Sequence, residues 1–203
     1  MRKKSGNKKA ASNSFRIIGG EWRGRRLSFA DNPAIRPTPD RVRETLFNWL
    51  QSTTPSSRCL DLFAGSGALG LEALSRGASQ VEFVELDRKS TAVIKENIEL
   101  LESDNGEVIT RDALQFLSKL TDGESSSYDL IFLDPPFATN LLERSLAQLE
   151  KMQLSSGALI YIELDSKRAK EAHSALELNW KIVKSGEAGK VKYMLVRRSE
   201  SYE

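Results

Sequence analysis

Cysteine and histidine are nearly missing from this chain. Among 203 residues, Cys59 is the one thiol and His173 the one imidazole. A single cysteine excludes an internal disulfide, so nothing points to an oxidising compartment. Lying in an apolar run, Cys59 reads as a small buried hydrophobe. His173 lies near an apolar stripe of Ala169, Ala172 and Leu176 and reads as a packing or surface residue. No His, Cys and carboxylate cluster suggests a metal, and none is expected. There is also no apolar run long enough to span a bilayer. The basic N-terminus is not followed by the apolar stretch of a secretory signal, so the cytoplasm is the expected location. Proline is scarce too, at six residues, and two of the six are adjacent, Pro135-Pro136.

What is present is a balanced soluble composition, 39% hydrophobic and 29% charged. The length suits one domain with a small appendage. The net charge of +2 hides an asymmetry. Residues 1–43 hold 12 Lys/Arg against three acids, a net +9, and the remainder carries −7. A basic arm on an acidic body suits a polyanionic partner met by one end of the molecule. For residues 1–14 alone, a disordered, solvated tail is an equally good reading.

Phe15-Arg16-Ile17-Ile18 and Glu21-Trp22-Arg23-Gly24-Arg25-Arg26-Leu27 predict a small hairpin turned at Gly19-Gly20. Trp22 among arginines can stack on bases, or pack the hairpin onto the body. An irregular link over 28–37 follows. Thr38 is placed to cap a helix that has Pro39 at its first position and runs to about residue 50. Val42, Leu46, Trp49 and Leu50 form its apolar stripe, leaving Arg41, Arg43 and Asn48 off it. Beyond this, strands over 58–63, 80–85, 107–110, 128–133 and 158–163 alternate with helices, including one over 166–178. Residues 121–127 read as a polar loop. Two alternating strands, 180–185 and 191–197, close the chain as an antiparallel hairpin. The pattern predicts an α/β fold, a mostly parallel sheet of seven strands with helices on both faces.

Two stretches carry chemistry. Asp134-Pro135-Pro136-Phe137 ends the apolar run of the fourth strand. The prolines cannot continue the ladder, so the strand stops there. A carboxylate, proline carbonyls and an aromatic ring then gather at a strand's carboxyl end, where ligands bind in open α/β sheets. Asp134 and a neighbouring carbonyl can accept both N–H bonds of an exocyclic amine on a nucleobase, while Phe137 stacks on the ring. A tight Asp-Pro turn with no further role is the plainer alternative.

The second stretch is Ala64-Gly65-Ser66-Gly67-Ala68-Leu69-Gly70, between the first central strand and a helix. Glu85 follows 20 residues after Gly65, at the end of the next strand. This is the context of a nucleoside-binding turn, with the carboxylate placed for ribose hydroxyls. NAD uses the same geometry. S-adenosylmethionine is favoured because Asp61, within the strand before the loop, suits a methionine ammonium and not a pyrophosphate. Asp112-Ala113 ends the third strand, where a side-chain acceptor and a backbone N–H can read adenine.

Together, Asp61-Leu62-Phe63-Ala64-Gly65-Ser66-Gly67-Ala68-Leu69-Gly70 and Asp134-Pro135-Pro136-Phe137 resemble a Rossmann-like class I methyltransferase acting on an exocyclic amine. Arg16-Ile17-Ile18-Gly19-Gly20 with Trp22-Arg23-Gly24-Arg25 resembles the start of the bacterial RsmD family. So does the run from Arg36-Pro37-Thr38 through Asp40-Arg41-Val42-Arg43-Glu44-Thr45-Leu46-Phe47-Asn48-Trp49-Leu50. The resemblance spans about residues 15–197. It implies transfer of methyl from S-adenosylmethionine, leaving S-adenosylhomocysteine, to N2 of one guanine in 16S rRNA. Its implied catalytic residues are Asp134, Pro135, Pro136 and Phe137. Asp61, Ala64, Gly65, Gly67, Gly70, Glu85, Asp112 and Ala113 would hold the methyl donor. Arg16, Trp22, Arg23, Arg25, Arg26, Arg36, Thr38 and Arg41 would meet RNA, with Arg36 and Thr38 near the cofactor entrance. The expected domains are a disordered tail (1–14), an RNA-binding hairpin and linker (15–37) and a methyltransferase domain (38–203). A monomer acting on an assembled or late-assembly small subunit is expected, with no membrane partner. A DNA or RNA adenine-N6 methyltransferase, a nicotinamide oxidoreductase and a non-catalytic RNA-binding assembly protein are the alternatives.

Overall fold

The computed structural model describes residues 13–121, 127–137, 139–167, 176 and 179–199. The expected tail (1–14, all but its last two residues), most of the loop over 121–127, and most of the helix expected over 166–178, His173 included, lie outside them.

Five parallel strands make up one side of a seven-stranded sheet, from one edge inward. They are β3 (Arg58–Asp61), β4 (Gln80–Glu85), β5 (Gly106–Thr110), β6 (Leu130–Leu133) and β7 (Leu159–Asp165). β8 (Trp180–Ala188) and β9 (Val191–Arg198) close it, β9 pairing antiparallel with both β7 and β8. The order is β5-β4-β3-β6-β7-β9-β8. The chain moves outward from β3 on one side and then returns to lay β6 on its other side. The crevice between β3 and β6 is therefore the topological switch point, where such sheets bind ligands.

Alternation along the strands builds two cores. Cys59, Phe83, Phe132, Tyr161 and Tyr193 pack with α1 (Asp40–Trp49), α2 (Ala68–Ser75) and α3 (Arg88–Leu100). Leu60, Val84, Ile131, Ile160 and Met194 pack with α4 (Ala113–Thr121) and α5 (Leu141–Leu149) on the other face. The sequence predicts this sandwich because the strand runs are apolar at both parities, as a sheet covered on both faces requires.

The N-terminal hairpin is smaller than its pattern predicts. β1 (Ser14–Arg16) and β2 (Arg26–Ser28) pair over three residues each. Gly19-Gly20 is not a two-residue tip. The intervening chain instead lies on α2: Glu21 N–H donates to Ser75 O (2.7 Å) and Trp22 N–H to Ser75 Oγ (3.0 Å). Gly20 has φ of 78°, and a Cβ there would run into the Ser75 carbonyl, so glycine is required by both conformation and space. All eight residues of α2 are buried, because the sheet covers one side and this segment the other.

Helix α1 brings two corrections. Periodicity places Arg43 off the apolar stripe, yet its side chain is wholly buried. Thr38 is not the cap: Pro39 precedes the helix, and no side chain caps it. Trp49, expected in the core, is half-buried and stacks on Tyr193 with ring centroids 5.5 Å apart.

Candidate active site

The glycine loop is held open by two carboxylates. Asp61, at the end of β3, accepts the Gly70 N–H at 3.0 Å, which fixes the first turn of α2. Glu85, at the end of β4, accepts the Gly65 N–H (2.8 Å) on one oxygen and the Asp87 N–H (2.8 Å) on the other. Gly65 and Gly67 have φ of 52° and 75°, in the left-handed region that glycine tolerates. Beside Gly65 a Cβ would make only ordinary contact, at 3.8 Å, with Ile35 and the Phe63 carbonyl, whereas at Gly67 it would crowd Ile94 at 3.1 Å. Gly70 serves packing instead. A Cβ there would strike the Phe83 ring, so the glycine lets α2 lie against the sheet. Ala64 N–H is held by Val84 O at 3.0 Å.

Burial raises the proton affinity of Asp61; the Gly70 N–H opposes the rise and the Glu85 charge adds to it, leaving it at about 7. Asp112 accepts the Gln115 N–H at 3.0 Å, so it caps α4 with Ala113 next to it. Leu86, beside Glu85, is a large apolar side chain left 66% exposed just after β4. Sequence reasoning misses it, because a leucine after a strand gives no signal.

Asp134 follows β6, next to β3 across the switch point. Pro135 is buried, and Phe137 is half-buried. The Pro136 carbonyl accepts both the N–H (3.2 Å) and the hydroxyl (2.7 Å) of Thr139. Both its lone pairs are thus used in the turn that presents Phe137. A cleft of roughly 290 Å³, open solvent included, is lined by Pro135, Pro136, Phe137, Leu142 and Glu163. Burial first, then the charges of Glu163 and Asp61, push Asp134 well above the usual carboxylate range.

Glu163 on β7 is a second residue that sequence reasoning misses. Its Oε1 accepts the Thr38 hydroxyl (3.0 Å) and the Tyr161 hydroxyl (2.8 Å). The alternation Tyr161-Ile162-Glu163 is the signal that could have found it, since positions two apart share a face.

The expected RNA-facing residues divide. Arg16, Arg23, Arg25, Arg26, Arg36 and Arg41 are exposed. Arg16 pairs with Asp40 at 3.1 Å, and Arg25 donates to Leu100 O at 2.9 Å. Trp22 is half-buried and packs on the core beneath. Thr38 is buried, with its hydroxyl on Glu163.

A parallel sheet with this strand order, a glycine loop after its first central strand and an antiparallel pair at one edge defines a class I methyltransferase fold. A family model described as Conserved hypothetical protein 95 matches residues 15–197. Ribosomal RNA small subunit methyltransferase D of Escherichia coli K12 is 42% identical over 195 residues, covering 96% of this chain and 95% of that protein. The chain belongs to this family, the RsmD family. A solved structure, putative methyltransferase yhhF from Escherichia coli, has a TM-score of 0.78 at 41% identity, over 91% of this chain and 98% of that one. A putative methyltransferase, SMU.776, complexed with SAH, shares the fold at a TM-score of 0.71 and 17% identity, over 94% of this chain and 57% of that one.

Proposed function

We propose that this chain transfers methyl from S-adenosylmethionine to the exocyclic N2 of a guanine in 16S rRNA. The observation that carries the reading is Asp134 directly after β6, the strand paired with β3, whose Asp61 holds the turn that follows the glycine loop. The small-subunit name of the 42%-identical relative supports the substrate. The SAH bound by a neighbour of the same fold supports the donor.

The residues fit that donor. Asp61 is a buried carboxylate suited to an ammonium. Glu85 retains acceptor capacity for ribose hydroxyls, because each carboxylate oxygen has a second lone pair. Leu86 offers apolar surface to a purine, and Asp112 with Ala113 offers an acceptor and an N–H. When bound, the donor supplies a methyl on a sulfonium, which needs no metal to activate it. The chain's own work is alignment. Asp134 and the Pro135 carbonyl accept the two amine N–H bonds, and Phe137 stacks on the base. Orientation of this kind can supply up to roughly 7–11 kcal/mol. Asp134 also stabilises the positive charge that develops on nitrogen. The base must leave its stack to reach the cleft.

The exposed arginines of the hairpin and linker are the RNA-gripping surface in this reading. They are too few to read a sequence alone, so the substrate is an assembled or late-assembly small subunit whose shape presents the base. The protein works as a monomer in the cytoplasm.

The test is transfer of labelled methyl to small subunits from cells lacking this protein, with nucleosides identified by mass spectrometry. New N2-methylguanosine that vanishes with Asp134→Ala is the expected result. Methyl on adenine N6 would overturn the substrate, and absence of cofactor binding would overturn the enzyme. Equal transfer to naked rRNA would overturn the preference for assembled subunits.

A further inference from the structure

Glu163 is a buried carboxylate that the reaction above leaves unused. It is 4% exposed and lines the cleft beside Pro135, Pro136 and Phe137. Two hydroxyls converge on its Oε1, from Tyr161 two residues away and from Thr38, 125 residues away. The Thr38 backbone is fixed in turn, its carbonyl accepting the buried Arg43 Nε at 3.1 Å. A buried carboxylate held by one donor from its own strand and another from the link before α1 is a built feature. Burial raises the proton affinity of Glu163, and the hydrogen bonds from Tyr161 and Thr38, which favour the charged form, oppose that rise. Asp134, one strand away on the same face, is within the reach of that charge.

We propose that Glu163 is a positioning residue acting through Asp134: its charge, fixed on β7 by Thr38 and Tyr161, makes Asp134 the acceptor of the proton lost from the methylated amine. This rests on the methyltransferase reading. The nitrogen lone pair forms the N–C bond as the C–S bond breaks, the latter's electrons staying on sulfur. One N–H bond then breaks, its electrons staying on nitrogen and its proton passing to an Asp134 oxygen. A carboxylate beside a second fixed negative charge is a stronger base than one alone.

The other groups facing this pair are few. Asp61 faces it from β3 and adds to the same effect. Tyr193 on β9 acts on Tyr161. Glu143 on α5 and Asp165 at the end of β7 line the cleft. No cation is among the cleft-lining residues described, so nothing there offsets the repulsion.

The test uses the full chain, with carboxyl groups followed by carbon NMR across pH, and does not depend on any RNA substrate. Glu163→Gln keeps an oxygen for Thr38 and Tyr161 and removes the charge. The Asp134 midpoint is expected to fall by about one pH unit or more. Coupling is reciprocal, so Asp134→Asn is expected to lower the Glu163 midpoint similarly, which gives a second route if Glu163→Gln folds poorly. An unmoved midpoint in either folded variant overturns the proposal. In methyl transfer, the acidic limb of the pH–rate profile is expected to move to lower pH in Glu163→Gln. A uniform loss of rate at every pH, with the limb unmoved, would mark Glu163 as merely structural and overturn the proposal. Failure of wild-type transfer would sink the functional reading while the NMR midpoints still decide the coupling.

Discussion

Arg43 and Glu72 form an ion pair at 3.4 Å in which neither side chain reaches water. Glu72 also accepts the backbone N–H groups of Ile18 (2.7 Å) and Gly19 (2.8 Å) and the Arg76 Nε (2.8 Å). Arg43 gives its remaining donors to Asp40 and to the carbonyls of Arg16 and Thr38. Two buried charges thus fasten the N-terminal hairpin to the body.

Removing one partner of a buried pair leaves the other charged and unpaired. Glu72→Ala is expected to destabilise the fold by about 3–5 kcal/mol, lowering the melting temperature by roughly 10 °C or more. The same variant should expose the Ile18 and Gly19 amides to hydrogen exchange before the rest of the sheet. A melting curve within about 2–3 °C of wild type, the size of an exposed-pair effect, would contradict the anchor.

Asp61 makes stability and ligand binding depend on pH. Its proton affinity rises from the ordinary 3.8 to about 7 on folding. Between those values the folded chain holds a proton that the unfolded chain has released. Stability therefore falls as pH rises through this window and is level above it. Asp61→Asn is expected to flatten the fall in melting temperature between pH 4 and 7, roughly the window the shift defines. A ligand ammonium needs the ionised form, so affinity for S-adenosylmethionine in the wild type should rise with pH through about 7. Calorimetric titration across that range checks it, and a flat profile would remove Asp61 from the ligand's reach.

The exposed arginines predict a salt dependence. Arg23 and Arg26 lie on the hairpin surface without being needed in either core. Arg23→Glu with Arg26→Glu should weaken rRNA binding and reduce the slope of log affinity against log salt by about 0.7–0.9 for each phosphate no longer neutralised. The fold and the binding of S-adenosylmethionine should be untouched. Filter binding at several salt concentrations measures the slope.

Gly20→Ala tests the docking of the hairpin on α2. The position needs a left-handed backbone and has no room for a methyl beside the Ser75 carbonyl. A loss of about 1–3 kcal/mol is expected from the strain. Gly24→Ala is the control, since it has a φ of 86° but nothing within 4 Å of its added carbon. If the two variants melted together, the tight contact with Ser75 would be wrong.

Periodicity makes the sheet legible. The apolar runs ending in Asp61, Glu85 and Asp134 are long enough to be strands, and turn glycines and prolines mark where they stop. The position of Asp61 and Glu85 around the glycine loop follows from chain order alone. The anchors do not. Arg43 and Glu72 look like solvated helix charges, because each is buried by a partner far away in sequence, Ile18 lying 54 residues from Glu72. Thr38 before Pro39 imitates a helix cap, and only the fold reveals that its hydroxyl is engaged by Glu163. The hairpin tip differs from its pattern because Gly19-Gly20 is demanded by α2 and not by strand pairing.

Helix α2 has two ends with different guests. Its first turn is set by Asp61 and carries the glycine loop, while its C-terminal half holds the hairpin through Glu72 and Ser75, with Arg76 just beyond. It is a rod of only eight residues, about 12 Å long. Any tilt or roll of that rod displaces the small-molecule crevice and the basic arm together. The crevice and the arm are in that sense mounted on a single shaft, and an insertion or proline within it should uncouple both at once.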